Sequence, residues 1–226
     1  MPRREDAALL LAEILRSQGR FDAASETLRE LCPANEFELG LSLRATYFLR
    51  QCDRHGIASE ICEGALACRA PPPAELLAVA GHVARESGNF AVARVRYLAA
   101  LNAGIDLERH YVLSALAHTR RYTDAADPDL ARCEAHFRNA AYSARSRGSV
   151  GFGVTKIRNN LGDYRSAARG LREANAMVHG AHPWDAVVWR RFVEARTHYH
   201  IAVTESASDE ASCPCSWWAY RVPVPR

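Results

Sequence analysis

Apolar and polar residues follow one another along this chain with the period of an α-helix, and the helical segments come in pairs. In each pair, two apolar stretches are joined by a short turn that most often begins with glycine. Paired antiparallel helices bury large apolar side chains at positions i, i+3, i+4 and i+7, and they need small residues where their axes cross. The hydrophobic pattern therefore predicts an all-α chain built of helical hairpins.

Five such hairpins align on their turns. In the first, third and fifth, a small residue lies five positions after the turn glycine and an apolar or aromatic residue lies nine positions after it. These triplets are Gly19, Ala24 and Leu28; Gly88, Ala93 and Tyr97; and Gly162, Ala167 and Leu171. The second hairpin aligns on Gly56, with Ile61 in place of the small residue, and the fourth has Arg120 in place of glycine. We interpret these two as degenerate copies.

The turns recur at a nearly constant interval. Successive turn residues are 37, 32 and 32 positions apart from Gly19 to Arg120, whereas Arg120 and Gly162 are 42 apart. The longer interval predicts an insertion at Asp127–Asp129 and Gly148–Ser149. The glycine-rich run Gly148–Gly153 follows no predicted strand and precedes no Lys-Ser/Thr pair of a phosphate-binding loop, so we expect a loop between helices.

The spacing and the turn pattern resemble tetratricopeptide repeats, whose period is about 34 residues. The resemblance covers roughly residues 5–178 and implies a right-handed superhelix of about five helix–turn–helix repeats within residues 1–179. After the break at His179–Pro183, residues 180–204 are predicted to form one bridging helix, and residues 205–226 a linker and an irregular tail. A generic α-solenoid or helical bundle is the alternative fold.

Repeats of this type usually present a concave face lined by their first helices. On the predicted register, the residues of this candidate partner groove are Arg16, Arg50, Arg85, Lys156 and Asn159. The resemblance implies a protein or peptide partner, whereas the alternative is a polar face exposed to solvent. Because the chain offers a Lys-Asn pair in one repeat only, we do not expect the carboxylate clamp of co-chaperone repeats.

Composition narrows the functional classes. The chain has 226 residues, of which 48% are hydrophobic and 24% charged, as in globular proteins. A net charge of +3, with arginine scattered among acidic residues, does not predict nucleic-acid binding. No secretory signal or long apolar span is recognisable, so we expect a cytoplasmic protein without membrane contact. The seven cysteines do not have zinc-site spacing, and we expect reduced thiols, no metal and no cofactor.

The last repeat and the residues after it resemble a narrower family, the bacterial tetratricopeptide-repeat sulfotransferases. The resemblance is carried by Leu161–Ala167, by Arg172–Ala176 and by the helix and Ser/Asp/Glu linker of residues 184–212. In that family, a strand and a loop that wraps the 5′-phosphate of the sulfate donor PAPS come next. The chain as written has no such loop, so we expect that it is not an enzyme by itself.

The codons of Cys213–Arg226 nevertheless permit that loop in another reading frame. When each third base is read with the next two bases, Trp217-Trp218 must give Val and Trp218-Ala219 must give Gly. The remaining shifted codons permit Pro-Val-Phe-Val before this pair and Ile-Pro-Arg-Ser-Gly-Thr-Thr after it. We interpret the chain as the N-terminal part of a PAPS-dependent sulfotransferase truncated by a frameshift, with repeats that position an acceptor or form a homodimer. The alternative is a complete stand-alone repeat adaptor.

Overall fold

The computed structural model describes residues 4–181 and 185–194, with the exception of residue 192. The chain divides into two units, Met1–His182 and Pro183–Arg226. The helices of the first unit are α1 (Arg4–Ser17), α2 (Phe21–Ala34), α3 (Leu39–Gln51), α4 (His55–Ala67), α5 (Ala74–Glu86), α6 (Phe90–Asn102), α7 (Leu107–His110), α8 (Val112–Ala117), α9 (Pro128–Arg138), α10 (Ala144–Asn160) and α11 (Tyr164–Ala181). No strand occurs in the described residues, so the all-α prediction is confirmed for them.

Neighbouring helices pack as hairpins, and each hairpin packs on the next. The close pairs are α1 with α2, α3 with α4, α5 with α6, and α10 with α11. Between hairpins, α2 contacts α3 and α4, α4 contacts α5, α6 contacts α8, and α10 contacts α8 and α9. The buried apolar side chains accordingly form three clusters in a row. Leu66 contacts the first two of them, and Leu101 and Leu107 contact the last two.

One turn geometry recurs in four of the hairpins. The second residue after each first helix has a positive φ: 73° at Gly19, 55° at Asp53, 78° at Gly88 and 79° at Gly162. The next residue donates its N–H to a carbonyl five positions earlier, as Arg20 does to Leu15 at 2.9 Å. This hydrogen bond satisfies a carbonyl that the end of the helix would otherwise leave unpaired. The predicted turn positions Gly19, Gly88 and Gly162 therefore lie at genuine helix ends.

The predicted alignment of the second hairpin on Gly56 is wrong by three positions. Gly56 lies inside α4, and Asp53 adopts the left-handed conformation at the turn. Aspartate tolerates this conformation better than most residues because its short polar side chain can hydrogen-bond locally. With the turn at Asp53, the small residue five positions later is Ala58 and the residue nine positions later is Cys62, and both are buried. The second hairpin is therefore a regular copy.

The fourth hairpin departs from the predicted pattern. Its first helix is split into α7 and α8 by Tyr111, which has a φ of 48°. Residues 118–127 are not helical, and within them the buried Tyr122 places its hydroxyl 3.1 Å from the carboxylate of Asp129. The predicted insertion point at Asp127–Asp129 lies a few residues too late, because Asp127 ends the non-helical segment and caps the start of α9 by accepting from the Asp129 N–H. The extra residues precede this helix.

The predicted loop at Gly148–Gly153 is also wrong, since this segment lies inside α10. The glycines permit close helix contacts. A Cβ at Gly148 would lie 2.7 Å from Val178 of α11, and one at Gly153 would lie 2.9 Å from the Cβ of Ala117 in α8. Because Gly148 and Gly153 have no side chain, α10 can approach α11 and α8 closely at these two positions.

In the second unit, residues 186–191 and 193–194 are helical where described. They fall within the predicted bridging helix, of which the remainder lies outside the described residues. The predicted linker and tail of residues 205–226 lie outside them as well. None of the helices that the structure describes has both the length and the apolar character to cross a bilayer.

Candidate functional site

A groove of about 1020 Å³ runs along the first helices of successive hairpins. Three elements supply its walls, namely α1, α3 and α5, and the segment around α7 completes it. The lining residues are Leu9, Leu10, Glu13, Leu43, Arg44, Tyr47, Phe48, Arg50, Gln51, Glu75, Val79, His82, Arg85, Arg109, His110 and Tyr111. The second helices α2, α4 and α6 contribute no lining residue.

Helical periodicity explains why these side chains face the groove. On α3, the residues Ser42, Ala45 and Leu49 are buried, whereas Leu43 and Tyr47 lie one turn apart on another face. Tyr47 is 61% exposed, and Leu10 of α1 is exposed to the same extent. Two large apolar side chains thus remain accessible within the groove, a feature typical of interaction surfaces rather than of a core.

Two arginines of the groove share one carboxylate. Arg50 donates two hydrogen bonds to Glu86, at 2.7 and 2.6 Å, and Arg85 lies 3.4 Å from the same group. Hydrogen bonding by Glu86 raises the pKa of Arg50. Burial works to raise the pKa of Glu86, but the hydrogen bond and charge of Arg50 outweigh it, so this pKa lies below its ordinary value. Arg50 and Glu86 therefore stay ionised, and with the guanidinium of Arg85 the cluster carries one excess positive charge.

His82 lies in the groove wall, in a hydrogen-bond network that fixes its tautomer. Its Nε2 is 3.1 Å from the carbonyl oxygen of His110, and its Nδ1 is 2.9 Å from the hydroxyl of Tyr97. Because a carbonyl oxygen only accepts, Nε2 carries the proton and Nδ1 accepts from Tyr97. Burial, with the nearby charge of Arg50, lowers the pKa of His82 to about 4. The imidazole is therefore neutral at physiological pH and joins α5, α6 and the end of α7.

The structure brings together three of the five predicted groove residues. Arg50 and Arg85 line the groove, and Arg16 lies beside it, with its guanidinium 5.5 Å from the ring centroid of Phe48 and 3.4 Å from Gln51. Lys156 and Asn159 of α10 do not line this groove.

Lys156 has a different environment from the one predicted. Its ammonium donates to the carbonyl of Arg120 and lies 5.0 Å from the ring centroid of Tyr122, while Asn159 is exposed. Burial, followed by the charge of Arg120, lowers the pKa of Lys156. Lys156 therefore packs against the irregular segment of the fourth hairpin.

The sequence prediction missed the apolar part of the groove, above all Leu10 and Tyr47. The signal was present, since Leu43, Tyr47 and Arg50 share one helical stripe on α3. An apolar residue on a helix is, however, equally typical of a packed core. Whether such a residue lies in a groove or in the core depends on whether another helix packs over it, and a single sequence does not supply that information.

Four of the five cysteines of the first unit serve packing, and Cys68 is exposed. Cys32, Cys52, Cys62 and Cys133 are buried, and burial raises the pKa of Cys32 and of Cys133 to about 12. Such thiols stay protonated and are poor nucleophiles. Within the part of the chain that the structure describes, no three metal-ligating side chains come together. Cys213 and Cys215 lie outside that part.

No family model and no curated protein matches this chain. The groove along α1, α3 and α5 is therefore the feature from which a function can be argued.

Proposed function

We propose that the chain is a protein-interaction module of the tetratricopeptide type, with hairpins following a right-handed superhelix. Its groove would take a linear peptide segment of a partner protein. The observation that carries the proposal is that the first helices of three consecutive hairpins line one groove and leave Leu10 and Tyr47 accessible in it. Grooves between helices that combine apolar anchoring surface with charged side chains suit peptide recognition.

A peptide-display selection tests this proposal. Peptides selected on the purified chain should lose binding when Tyr47 is replaced by alanine, by about tenfold or more, because exposed aromatic side chains are frequent anchors of binding energy. Tyr164→Ala is a matched control, since Tyr164 is 68% exposed but lies on α11, outside the groove. Failure to select any peptide, or equal losses in the two variants, would refute the proposal.

The context that we propose for this module is a bacterial sulfotransferase, of which these repeats form the N-terminal part. The shifted codons of Cys213–Arg226 support it, because they permit the complete phosphate-loop sequence directly after the predicted linker. In such an enzyme the repeats would position the acceptor protein or a second copy in the cytoplasm. The chain by itself should bind no PAPS in a calorimetric titration.

Sequencing of the coding DNA distinguishes this context from a stand-alone adaptor. Read one base out of phase from Cys213, it should encode the phosphate loop and then continue as a long open frame with a sulfotransferase domain. A stop codon within a few triplets of that frame would contradict the sulfotransferase context. The peptide-binding proposal would then apply to a stand-alone repeat protein.

A further inference from the structure

Positive charge predominates among the side chains that line the groove. The charged lining residues are Arg44, Arg50, Arg85, Arg109, Glu13 and Glu75. The carboxylates that pair with these arginines are Asp6, Glu86 and Asp106, and none of these three lines the groove. An occupant of the groove would therefore meet guanidinium groups, whereas the carboxylates that pair with them lie outside the lining.

The two glutamates of the lining do not reverse this balance. Glu13 pairs with Arg16 at 2.6 Å. Glu75 is half exposed and lies 3.9 Å from a ring nitrogen of His110. The negative charge of Glu13 is thus compensated by Arg16. Glu75 remains as the one lining carboxylate to set against the lining arginines.

The end of the groove at α5 and α7 has hydrogen-bond donors to offer. The Arg85 side chain is one-third exposed, and the contact of its Nη2 with Glu86 is long, at 3.4 Å. Arg109 is 81% exposed, and its distance of 3.8 Å from Asp106 is too long for a hydrogen bond. Guanidinium groups prefer planar carboxylates, which they can bind through two parallel hydrogen bonds. A carboxylate on the occupant would complement this end of the groove.

The other end of the groove calls for a different group. There Leu10, Leu43 and Tyr47 present apolar surface from α1 and α3. A peptide with acidic residues alone would leave this surface in contact with water, whereas a large apolar side chain would bury it.

We infer that the groove selects segments of a partner protein that carry a carboxylate close to a large apolar residue. The apolar side chain packs against Leu10 and Tyr47, and the carboxylate binds Arg109 and Arg85. This inference rests on the proposed peptide-binding function and specifies its ligand.

Four synthetic peptides of equal length, labelled with a fluorophore, test the inference by fluorescence anisotropy. They contain leucine with glutamate, leucine with glutamine, leucine with lysine, and serine with glutamate, in the same positions. The leucine–glutamate peptide should bind at least about tenfold more tightly than each of the others. Its affinity should also decrease with added salt, because exposed charges are screened.

Two variants locate the contribution of charge. Arg109→Gln should weaken the leucine–glutamate peptide by roughly fivefold and leave the leucine–glutamine peptide unchanged, because an exposed ion pair contributes up to about 1 kcal/mol. Arg138→Gln removes an equal charge from α9, outside the groove, and should change neither affinity. Equal effects of the two variants would overturn the inference.

The remaining outcomes separate the inference from the proposed function. If the leucine–lysine or leucine–glutamine peptide binds best and Tyr47→Ala abolishes that binding, the inference fails and the peptide-binding function stands. If no peptide binds, both fail. If sedimentation shows a dimer that Tyr47→Ala dissociates, the groove holds a second copy of the chain and the inference is overturned.

Discussion

Replacement of Gly151 by alanine should destabilise the protein, although alanine is the better helix former. Gly151 lies in α10, where an added Cβ would be 2.7 Å from Cε2 of Phe137 and 2.8 Å from the Cβ of Ala174. Carbon atoms in contact prefer separations of about 3.5–4.0 Å. The Cβ of Ala174 is fixed to the backbone of α11, so that helix would have to move.

Two opposing contributions set the magnitude. Overpacking a tight contact costs about 1–3 kcal/mol, and the fixed position of Ala174 favours the upper half of this range. Alanine regains about 1 kcal/mol over glycine in a helix interior. The net loss of unfolding free energy should be about 1–2 kcal/mol, which corresponds to a decrease in Tm of roughly 2–8 °C for a chain of this size.

Thermal unfolding followed by circular dichroism measures this decrease. Gly56→Ala is the matched control, because Gly56 lies in α4 and no heavy atom lies within 4 Å of an added Cβ. This variant should keep or raise the Tm. If Gly151→Ala raised the Tm as the control does, the close contact of α10 with α9 and α11 would be refuted. A near-zero change would instead indicate the loop that the sequence predicted.

Two further predictions concern buried titratable groups, a charged aspartate and a neutral histidine. Asp129→Asn should lower the free energy of unfolding in urea by about 3–5 kcal/mol, because this buried carboxylate accepts from Arg94 at 2.6 Å. Asp22→Asn is the control and should cost less than about 1 kcal/mol, because the Asp22 side chain is 91% exposed. Equal losses would refute the argument. Burial holds the pKa of His82 at about 4 in the folded protein, below its unfolded value of about 6.5. As the pH falls from about 6.5 to about 4, the unfolded state therefore takes up the proton first, and the stability of the folded state decreases by up to about 3 kcal/mol at pH 4. His82→Gln should therefore flatten the dependence of unfolding free energy on pH between 6.5 and 4.5, and an unchanged slope would exclude His82 as its source.

The sequence predicts the helices and the regular turns because both depend on local chemistry. Gly19, Gly88 and Gly162 end their helices in a left-handed conformation that glycine adopts at little cost, and this conformation leaves a clear signal. The turn at Asp53 gives a weaker signal, since aspartate adopts the conformation less often. The sequence alignment, which favours glycine at each turn, therefore took Gly56 as the turn residue of the second hairpin. Such errors shift the register of one hairpin without changing the fold class.

The glycine-rich segment of α10 shows a limit of a different kind. Gly148 and Gly151 are three positions apart, so they share one face of the helix and both approach α11. The composition of this segment is the same whether it forms a mobile loop or a close helix contact. Only the presence of a partner helix, contributed by residues far along the chain, decides between the two.

The extent of the groove depends on the irregular fourth hairpin more than on the repeats. Regular first helices, such as α3 and α5, continue the groove wall, and Arg50 and Arg85 of the predicted register line it. At Tyr111 the left-handed backbone divides what would be the next first helix, and Arg109 and His110 line the groove there. Lys156 lies beyond this division and contacts Tyr122 instead. A repeat alignment assumes that every first helix contributes to the same groove. It therefore included Lys156 and Asn159, whereas the lining of this groove ends at Tyr111.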